Sequence, residues 1–354
     1  MSAIAFNLVV FGPDKVRLGE VRSISSLQWM ECYQSVGEAK LVCAATPINR
    51  QILFNGVLLL NTDRPGLLAQ VQAVEIDDDM QTAKMTVRAK LTAYRLKGRV
   101  LMHTADISAA EAGVLQAVRA NLRGVPLEVA PAKGLPERYD GQISWGSLLD
   151  MAEKVAGRTG LGFRVAVDNA LQETFEVYKG VNRTVPGSDT YVGFLGDTVG
   201  NISSIKLMDD VSTYYNTAIV AGEGEGAARK VATVSIDDGG PRRELFVNAA
   251  DLTSKYTVEL SDGSTEERTL TPQAYAAQLE ARGKQALAEA YVGSTVVADL
   301  SQSMMLFGHD YEVGDILPLQ LARYGVTVNV RLSKITLAYE QTKTIKATLE
   351  VVSL

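Results

Sequence analysis

Residues 26–33 read Ser26-Leu27-Gln28-Trp29-Met30-Glu31-Cys32-Tyr33, a short run whose aromatic and aliphatic residues are typical of a β-strand. Similar runs recur through the first 100 residues, and several of them alternate between apolar and polar side chains. Turn-forming stretches such as Gly12-Pro13-Asp14 and Asp63-Arg64-Pro65-Gly66 separate them. This pattern predicts a β-sandwich or β-barrel. The runs are residues 8–11, 16–21, 26–33, 39–43, 57–61, 70–76 and 84–89.

Residues 101–195 predict a mixed α+β domain. Ser108-Ala109-Ala110-Glu111 fits a capping box that opens a helix running to about Leu122. A second helix is predicted over residues 147–156, and strands over 162–167 and 174–178.

The remainder divides into two further domains. Residues 196–230 and 296–354 read as β-strands and predict a second barrel. Residues 231–295 predict a small α+β insertion. It contains a hairpin around residues 237–240 and a long helix that begins at Thr271-Pro272 and continues through Tyr291.

Two segments share one spacing of glycines and apolar residues. Each reads as a turn glycine, a strand, a short loop, a strand and a hairpin return. Two related barrels would explain this, but two unrelated β-meanders would give a similar pattern. The first segment contains Gly56-Val57-Leu58-Leu59-Leu60, Gly66, Val71, Ile76 and Met85-Thr86-Val87. The second contains Gly314-Asp315-Ile316-Leu317-Pro318-Leu319, Gly325, Val330, Ile335 and Ala347-Thr348-Leu349.

The charge balance argues against a protein that grips nucleic acid. The chain has 35 basic and 41 acidic residues, a net charge of −6. Stable binding of nucleic acid usually needs a basic surface that neutralises phosphates. We therefore expect a surface that repels DNA weakly if DNA passes nearby.

The two cysteines, Cys32 and Cys43, are expected to be free and mostly buried thiols. The apolar N-terminal run at residues 4–11 lacks a basic leader and stops at Gly12-Pro13, so it predicts a strand and not a signal peptide. No stretch approaches the ~20 apolar residues of a membrane span. We expect no membrane anchor and synthesis in the cytoplasm.

Catalytic and metal-binding patterns are weak. His103 and His309 are the two histidines, and neither lies in a metalloprotease or hydrolase motif. The Gly222–Gly226 stretch, Gly-Glu-Gly-Glu-Gly, has the wrong spacing for a phosphate loop and carries two carboxylates, so it predicts a hairpin tip. Asp77-Asp78-Asp79 predicts a solvated turn. We expect no catalytic residue, no cofactor and no metal.

Several motifs, in serial order over nearly the whole chain, resemble the siphophage tail-hub family. They are the tryptophan strand at 26–33 with the Gly-Glu pair that follows, the helix start at 142–149, and the segments 177–184, 216–226, 310–316 and 330–335. The family-motif residues in them are Trp29, Tyr33, Gly37, Glu38, Trp145, Tyr178, Gly180, Asn216, Gly222, Asp310, Gly314, Asp315 and Arg331.

The resemblance implies a β-rich α+β fold of the tail-hub type, with two β-barrel tube domains and two smaller α+β domains. It implies a homotrimer around a lumen, in which six barrels match a sixfold tail tube. The implied place is the tip of the virion tail. The implied partners are the distal tail or tail-tube protein, the tape-measure protein, and spike or fibre proteins. DNA would pass through the lumen only transiently.

Two other functions stay open at this stage. A β-rich carbohydrate-binding protein for host attachment would need an aromatic-lined surface. A phage glycoside hydrolase would need two carboxylates that can be distant in sequence, but only Trp29 and Trp145 could supply tryptophan platforms.

Overall fold

The computed structural model describes residues 7–78, 82–143, 145–208, 212, 214–259, 265–290, 295–301, 304–340 and 343–352. The predictions for residues 4–6, Asp79 and Tyr291 concern residues outside this part of the chain. The described residues form two compact units, residues 1–208 with 295–354 and residues 209–294.

The strands of the first unit are numbered along the chain. They are β1 Leu8–Phe11, β2 Arg17–Glu20, β3 Ile24–Cys32, β4 Glu38–Ala44, β5 Leu58–Asn61, β6 Leu68–Asp78, β7 Ala83–Leu91, β8 Ala105–Ala109, β9 Glu128–Val129, β10 Arg138–Ile143, β11 Gly162–Val167, β12 Glu173–Tyr178, β13 Leu195–Gly196, β14 Ile202–Met208, β20 Thr295–Leu300, β21 Ile316–Leu321, β22 Val326–Tyr339 and β23 Lys343–Val352. Its helices are α1 Pro47–Ile52, α2 Ala110–Asn121 and α3 Leu148–Thr159.

The second unit contributes the remaining elements. They are β15 Thr217–Ala221, β16 Val231–Ser235, β17 Glu244–Asn248, β18 Lys255–Glu259, β19 Thr265–Thr269 and α4 Pro272–Ala290.

Thirteen strands of the first unit form one sheet. Its main path runs β14-β20-β23-β22-β3-β4-β7-β6-β5-β1-β2, while β21 pairs with β22 and β13 pairs with β21. A large apolar core, which includes Leu27, Trp29, Leu41, Leu337 and Leu349, packs against it. The prediction of a β-rich α+β fold is confirmed.

The sheet contains one five-stranded module twice. The order β3-β4-β7-β6-β5 in the first module recurs as β14-β20-β23-β22-β21 in the second. Every neighbouring pair in both modules is antiparallel. The first module lies within residues 24–91, and the second lies within residues 202–208 and 295–352.

The turn glycines of the two modules make equivalent hydrogen bonds. Gly56 (φ +95°) and Gly314 (φ +100°) both adopt a backbone conformation that favours glycine. The amide of Gly56 donates to the carbonyl of Val71 (2.9 Å), and that of Gly314 donates to the carbonyl of Leu332 (2.8 Å). Val71 and Leu332 each donate back to the residue after the glycine, both at 2.9 Å. The turn glycines are therefore equivalent, but the alignment by glycine spacing is wrong further along, because Val71 corresponds to Leu332 and not to Val330.

The irregularities of the strands repeat as well. The β6–β7 ladder skips one residue between Val71 and Ala73, and the β22–β23 ladder skips one between Leu332 and Lys334. Because a β-bulge changes the register of all following pairs, two bulges at equivalent points fix the same alignment along both ladders.

The first strand of each module carries a sequence match that the glycine spacing did not reveal. Residues 24–30 read Ile-Ser-Ser-Leu-Gln-Trp-Met, and residues 202–208 read Ile-Ser-Ser-Ile-Lys-Leu-Met. Both strands skip their second residue in pairing with the next strand of the module. Trp29 and Leu207 are therefore equivalent positions.

The two modules are joined by a pairing between β22 and β3. The first half of β22 pairs with β21, while residues 334–339 pair with residues 27–32 of β3. Leu337 lies opposite Trp29 at the centre of this join. Both side chains are buried, so the join is part of the core.

Helices α2 and α3 pack together in a smaller α+β region with its own apolar core, whose buried residues lie between Ala93 and Val177. Helix α3 begins after Ser147, whose hydroxyl accepts a hydrogen bond from the Asp150 amide (3.0 Å), and ends at Gly160. The second predicted helix is therefore confirmed, and it extends three residues further than expected.

The capping box predicted for α2 is wrong. The cap residue is Ala109, and no side chain caps this helix. The buried Glu111 carboxylate instead accepts hydrogen bonds from the amides of Lys133 (2.6 Å) and Leu135 (2.8 Å). It therefore holds the loop at residues 133–135 and not the helix start, because a buried carboxylate needs hydrogen-bond donors and these two amides supply them.

In the second unit, β16 and β17 lie on opposite sides of β15. The hairpin predicted around residues 237–240 is therefore wrong, since its two strands pair with β15 and not with each other. Strands β16 and β17 run antiparallel to each other, but β15 lies between them, so a tight two-residue turn cannot connect them. The long helix is confirmed as α4, which packs on this sheet through Tyr275 and Leu279.

Strand β15 belongs to the second unit, whereas the sequence-based boundary placed residues 196–230 with the C-terminal strands. The four predicted domains, 1–100, 101–195, 196–230 with 296–354, and 231–295, stay a prediction.

Both cysteines are free, as expected; Cys43 is buried and Cys32 half-buried. Burial raises the pKa of the Cys43 thiol to about 11, so it stays protonated at neutral pH. None of the helices in the described ranges is both long and apolar enough to cross a membrane.

Replacing Glu111 tests its observed role. Glu111→Ala should lower the free energy of unfolding by about 3 kcal/mol, because two backbone amides lose their charged acceptor, and hydrogen bonds to charged groups contribute about 1.5–3 kcal/mol each. Ser108→Ala is the matched control and should change it by less than about 0.5 kcal/mol, since Ser108 is exposed and caps nothing. Urea unfolding followed by circular dichroism measures both, and equal losses would restore the capping box.

Candidate functional site

Tyr33 lies where three distant segments meet. Its amide donates to the carbonyl of Ser333 (2.9 Å), and its carbonyl accepts from the amide of Phe163 (3.1 Å). The buried hydroxyl accepts from the amide of Gly180 (3.0 Å) and donates to the carbonyl of Gly160 (3.1 Å). Tyr33, which directly follows β3, therefore connects the join of the modules to the smaller α+β region.

Two of the glycines predicted as motif residues are needed here for space. A Cβ atom on Gly314 would overlap the ring of Tyr33, and one on Gly180 would overlap the carbonyl of Gly314. The backbones of the 179–183 and 312–316 segments approach so closely because neither glycine carries a side chain.

Asp315 fixes the same two segments together. Its buried carboxylate accepts hydrogen bonds from the amides of Val181 (2.7 Å) and Glu312 (3.0 Å). It also accepts from Nε of Arg183 at 2.6 Å. Three donors compensate this buried charge, as a buried carboxylate requires.

Aromatic rings and guanidinium groups complete the cluster. The rings of Tyr33 and Tyr178 meet edge to face, with centroids 5.3 Å apart. Arg331 lies 5.5 Å from the Tyr33 centroid, and Arg164 lies 4.7 Å from the Tyr178 centroid. Burial raises the pKa of both tyrosine hydroxyls, so they remain neutral hydrogen-bonding groups and not proton donors in chemistry.

Six of the thirteen motif residues thus meet in one place, although they are up to 298 positions apart in the chain. We call this set the Tyr33 junction: Tyr33, Tyr178, Gly180, Gly314, Asp315 and Arg331.

The other motif residues of the first unit lie elsewhere. Trp29 is buried in the join, and Gly37 and Glu38 open β4, where Glu38 pairs with Lys90 of β7. Asp310 accepts from the Leu306 amide (2.7 Å) within its own loop. Trp145 is 74% exposed with φ +52° and belongs to none of these clusters.

Asn216 and Gly222 lie in the second unit and hold its turns. The Asn216 side chain accepts from the Arg243 amide (2.8 Å) and donates to the Pro241 carbonyl (3.2 Å). A Cβ atom on Gly222 would overlap the hydroxyl of Tyr275. Asn216 therefore fixes the backbone at residues 241–243, and Gly222 leaves room for the Tyr275 hydroxyl.

A second buried cluster escaped the sequence analysis. Arg64 makes two bidentate ion pairs, with Glu31 (2.6 and 2.8 Å) and with Glu312 (3.1 and 2.7 Å), and its guanidinium lies 4.5 Å from the Phe307 centroid. Burial alone would lower the pKa of Arg64, but the two carboxylates raise it, so the guanidinium stays charged. The cluster ties the β5–β6 loop to β3 and to the loop before β21.

Most polar groups of both clusters are occupied by the protein's own backbone and ion pairs, although the buried Nε of Arg331 has no hydrogen-bond partner among the described residues. Within the described ranges, no three His, Cys, Asp or Glu residues are grouped so that they could hold a metal ion. His103 is exposed, and His309 pairs with Asp310 at 2.7 Å. The arrangement can hold segments rigidly, and its chemistry is that of a structural junction.

The repeated module and the junction define a class, a β-rich structural protein. Residues 7–351 match a family model, and the chain belongs to the family described as Siphovirus ReqiPepy6 Gp37-like protein. It is therefore a phage tail protein. No curated protein sequence matches this chain.

Three solved structures of tail proteins have a similar fold. The tail protein from Neisseria meningitidis MC58 has a TM-score of 0.61 at 10% identity, over 98% of this chain and 96% of that one. The 43 kDa tail protein of prophage MuSo2 from Shewanella oneidensis has a TM-score of 0.61 at 10% identity, over 97% of both chains. Prophage tail protein gp18 from Listeria monocytogenes has a TM-score of 0.55 at 12% identity, over 97% and 94%.

The turn glycines give a matched test of the Tyr33 junction. Gly56→Ala should cost about 1–2 kcal/mol, from backbone strain alone, because a Cβ there meets nothing within 4 Å. Gly314→Ala should cost a further ~1–3 kcal/mol, because its Cβ would overlap the Tyr33 ring. Urea unfolding measures both, and equal losses would contradict the junction.

Arg64 should matter far more than an exposed arginine. Arg64→Ala should lower the free energy of unfolding by about 3–5 kcal/mol, because it leaves Glu31 buried without its partner. Arg88→Ala removes the exposed pair with Glu75 and should cost less than about 1 kcal/mol. Thermal and urea unfolding of the two variants should separate them clearly, and a small loss for Arg64→Ala would contradict the assigned role.

Proposed function

We propose that this tail protein is the tail hub, a non-catalytic homotrimeric ring at the tail tip. The ring joins the tail tube to tip, spike or fibre proteins, and DNA passes through its lumen. It is made in the host cytoplasm and then built into the virion. The distal tail or tail-tube protein and the tape-measure protein are its other partners.

The repeated module carries this proposal. Each chain holds two five-stranded modules with the same strand order, the same bulges and the same glycine turn. Three chains therefore supply six equivalent modules, which suits a ring that faces a sixfold tube on one side and threefold tip proteins on the other.

The charge supports the passage of DNA. A net charge of −6 gives no excess of basic side chains that would hold phosphates by neutralising them. A ring that releases DNA quickly needs this property, because strong phosphate contacts would slow the passage.

The motif residues act structurally in this proposal. The Tyr33 junction and the Arg64 cluster fix the loops next to the join, so the two modules keep one relative orientation. A ring component needs such rigidity, since a small change of angle between modules would prevent closure.

Immunogold labelling of phage particles tests the proposed position. Antibodies against this chain should label the tail tip, and labelling along the tube or at the neck would contradict the hub. Sedimentation equilibrium of the purified chain provides the second measurement, with an expected mass of three chains. Absence of lytic activity on cell-wall material is the expected control result.

A further inference from the structure

Two strand edges of the repeated module lack a partner strand within the described residues. β14 is the last strand at one end of the large sheet, so its outer edge pairs with no strand. In β6, residues 72–78 pair with β7 on one side, while β5 covers only the strand's first part. Exposed edges of this kind tend to pair with another chain.

Inside the chain, the two strands that are equivalent to these free edges pair with each other. β3 is the equivalent of β14, and the second half of β22 is the equivalent of residues 72–78 of β6. β3 and β22 form the join. The pairing of β3 with β22 therefore shows how the free edges of β14 and β6 could pair with each other between two copies of the chain.

We propose that β14 of one copy pairs antiparallel with the second half of β6 in a neighbouring copy, in the register of the join. This inference rests on the proposed ring and identifies its subunit interface. The bulges fix the alignment, so that Ile76 takes the place of Leu337 and Leu207 takes the place of Trp29. Ile76 thus lies opposite the neighbouring copy's Leu207.

Burial agrees with this alignment. In the join, Trp29 is 0% exposed and Leu337 is 1% exposed. At the equivalent free edges, Leu207 is 42% exposed and Ile76 is 50% exposed. Two large apolar side chains are left in solvent at the positions that the join buries, and pairing between copies would cover both.

Charge agrees as well. In the same register, Asp77 lies opposite the neighbouring copy's Lys206, whereas the equivalent pair in the join is Ala338 and Gln28. Asp77 and Lys206 are both exposed. Opposite charges on facing residues favour one register of an antiparallel pair over its neighbours.

The contact is head to tail, because each copy offers two different edges. Such contacts either close into a ring or continue as a filament. Three copies would alternate three internal joins with three contacts between copies, so that a single sheet continues around the ring and no module edge of this type remains open.

Disulfide trapping tests the register in the full-length chain. Ile76→Cys combined with Leu207→Cys should give covalent trimers on a non-reducing gel after mild oxidation. Ile76→Cys with Lys206→Cys is the control, since Lys206 lies on the opposite face of β14 and should not cross-link. Neither single variant should cross-link, because a head-to-tail contact does not bring a residue next to the same residue of a neighbouring chain.

A charge exchange provides an independent measurement. Asp77→Lys and Lys206→Asp should each shift the chain from trimer towards monomer in sedimentation, and the double variant should restore the trimer. A wild-type trimer that neither cross-links at 76 and 207 nor responds to the exchange would overturn the pairing but leave the hub intact. A wild-type chain that is monomeric and shows no cross-link would overturn both, whereas labelling away from the tail tip would overturn the hub alone.

Discussion

The structure depends on the pairing of β3 with the second half of β22. A single skipped residue between Leu332 and Lys334 lets β22 keep β21 along its first half and take β3 along its second. That pairing buries Trp29 against Leu337 and brings Tyr33 to the backbone of Ser333. Both buried clusters adjoin this join, because β3 supplies Glu31 to one and leads directly into Tyr33 of the other.

Much of the fold could be predicted because its signals are local. Short runs such as residues 26–33 indicated individual strands. The segments that follow Gly56 and Gly314 indicated three of the five strands that repeat. The match between residues 24–30 and 202–208 was also present in the sequence. It escaped notice because the two strands are followed by very different lengths of chain, which hides the correspondence when spacing alone is compared.

The sites were harder to predict because their contacts join distant residues. The motifs indicated Tyr33, Gly180 and Asp315 singly, but no spacing shows that one hydroxyl and one carboxylate bind the same segment. Arg64 and Glu312 form an ion pair although they are 248 positions apart, so no local sequence pattern indicates it. Glu111 shows the opposite error, since a local pattern predicted a bond at the helix start, whereas the carboxylate binds the amides of Lys133 and Leu135.

The position of the second unit has a consequence for how such tails diversify. Met208 and Thr295 are paired neighbours, as Met30 and Glu38 are in the first module, where the five residues 33–37 connect β3 to β4. Residues 209–294 thus replace a short connection, and the chain leaves and re-enters the sheet at adjacent points. Since the entropic cost of closing a loop grows slowly with length, this point can accept inserted domains of different size while the large sheet stays unchanged.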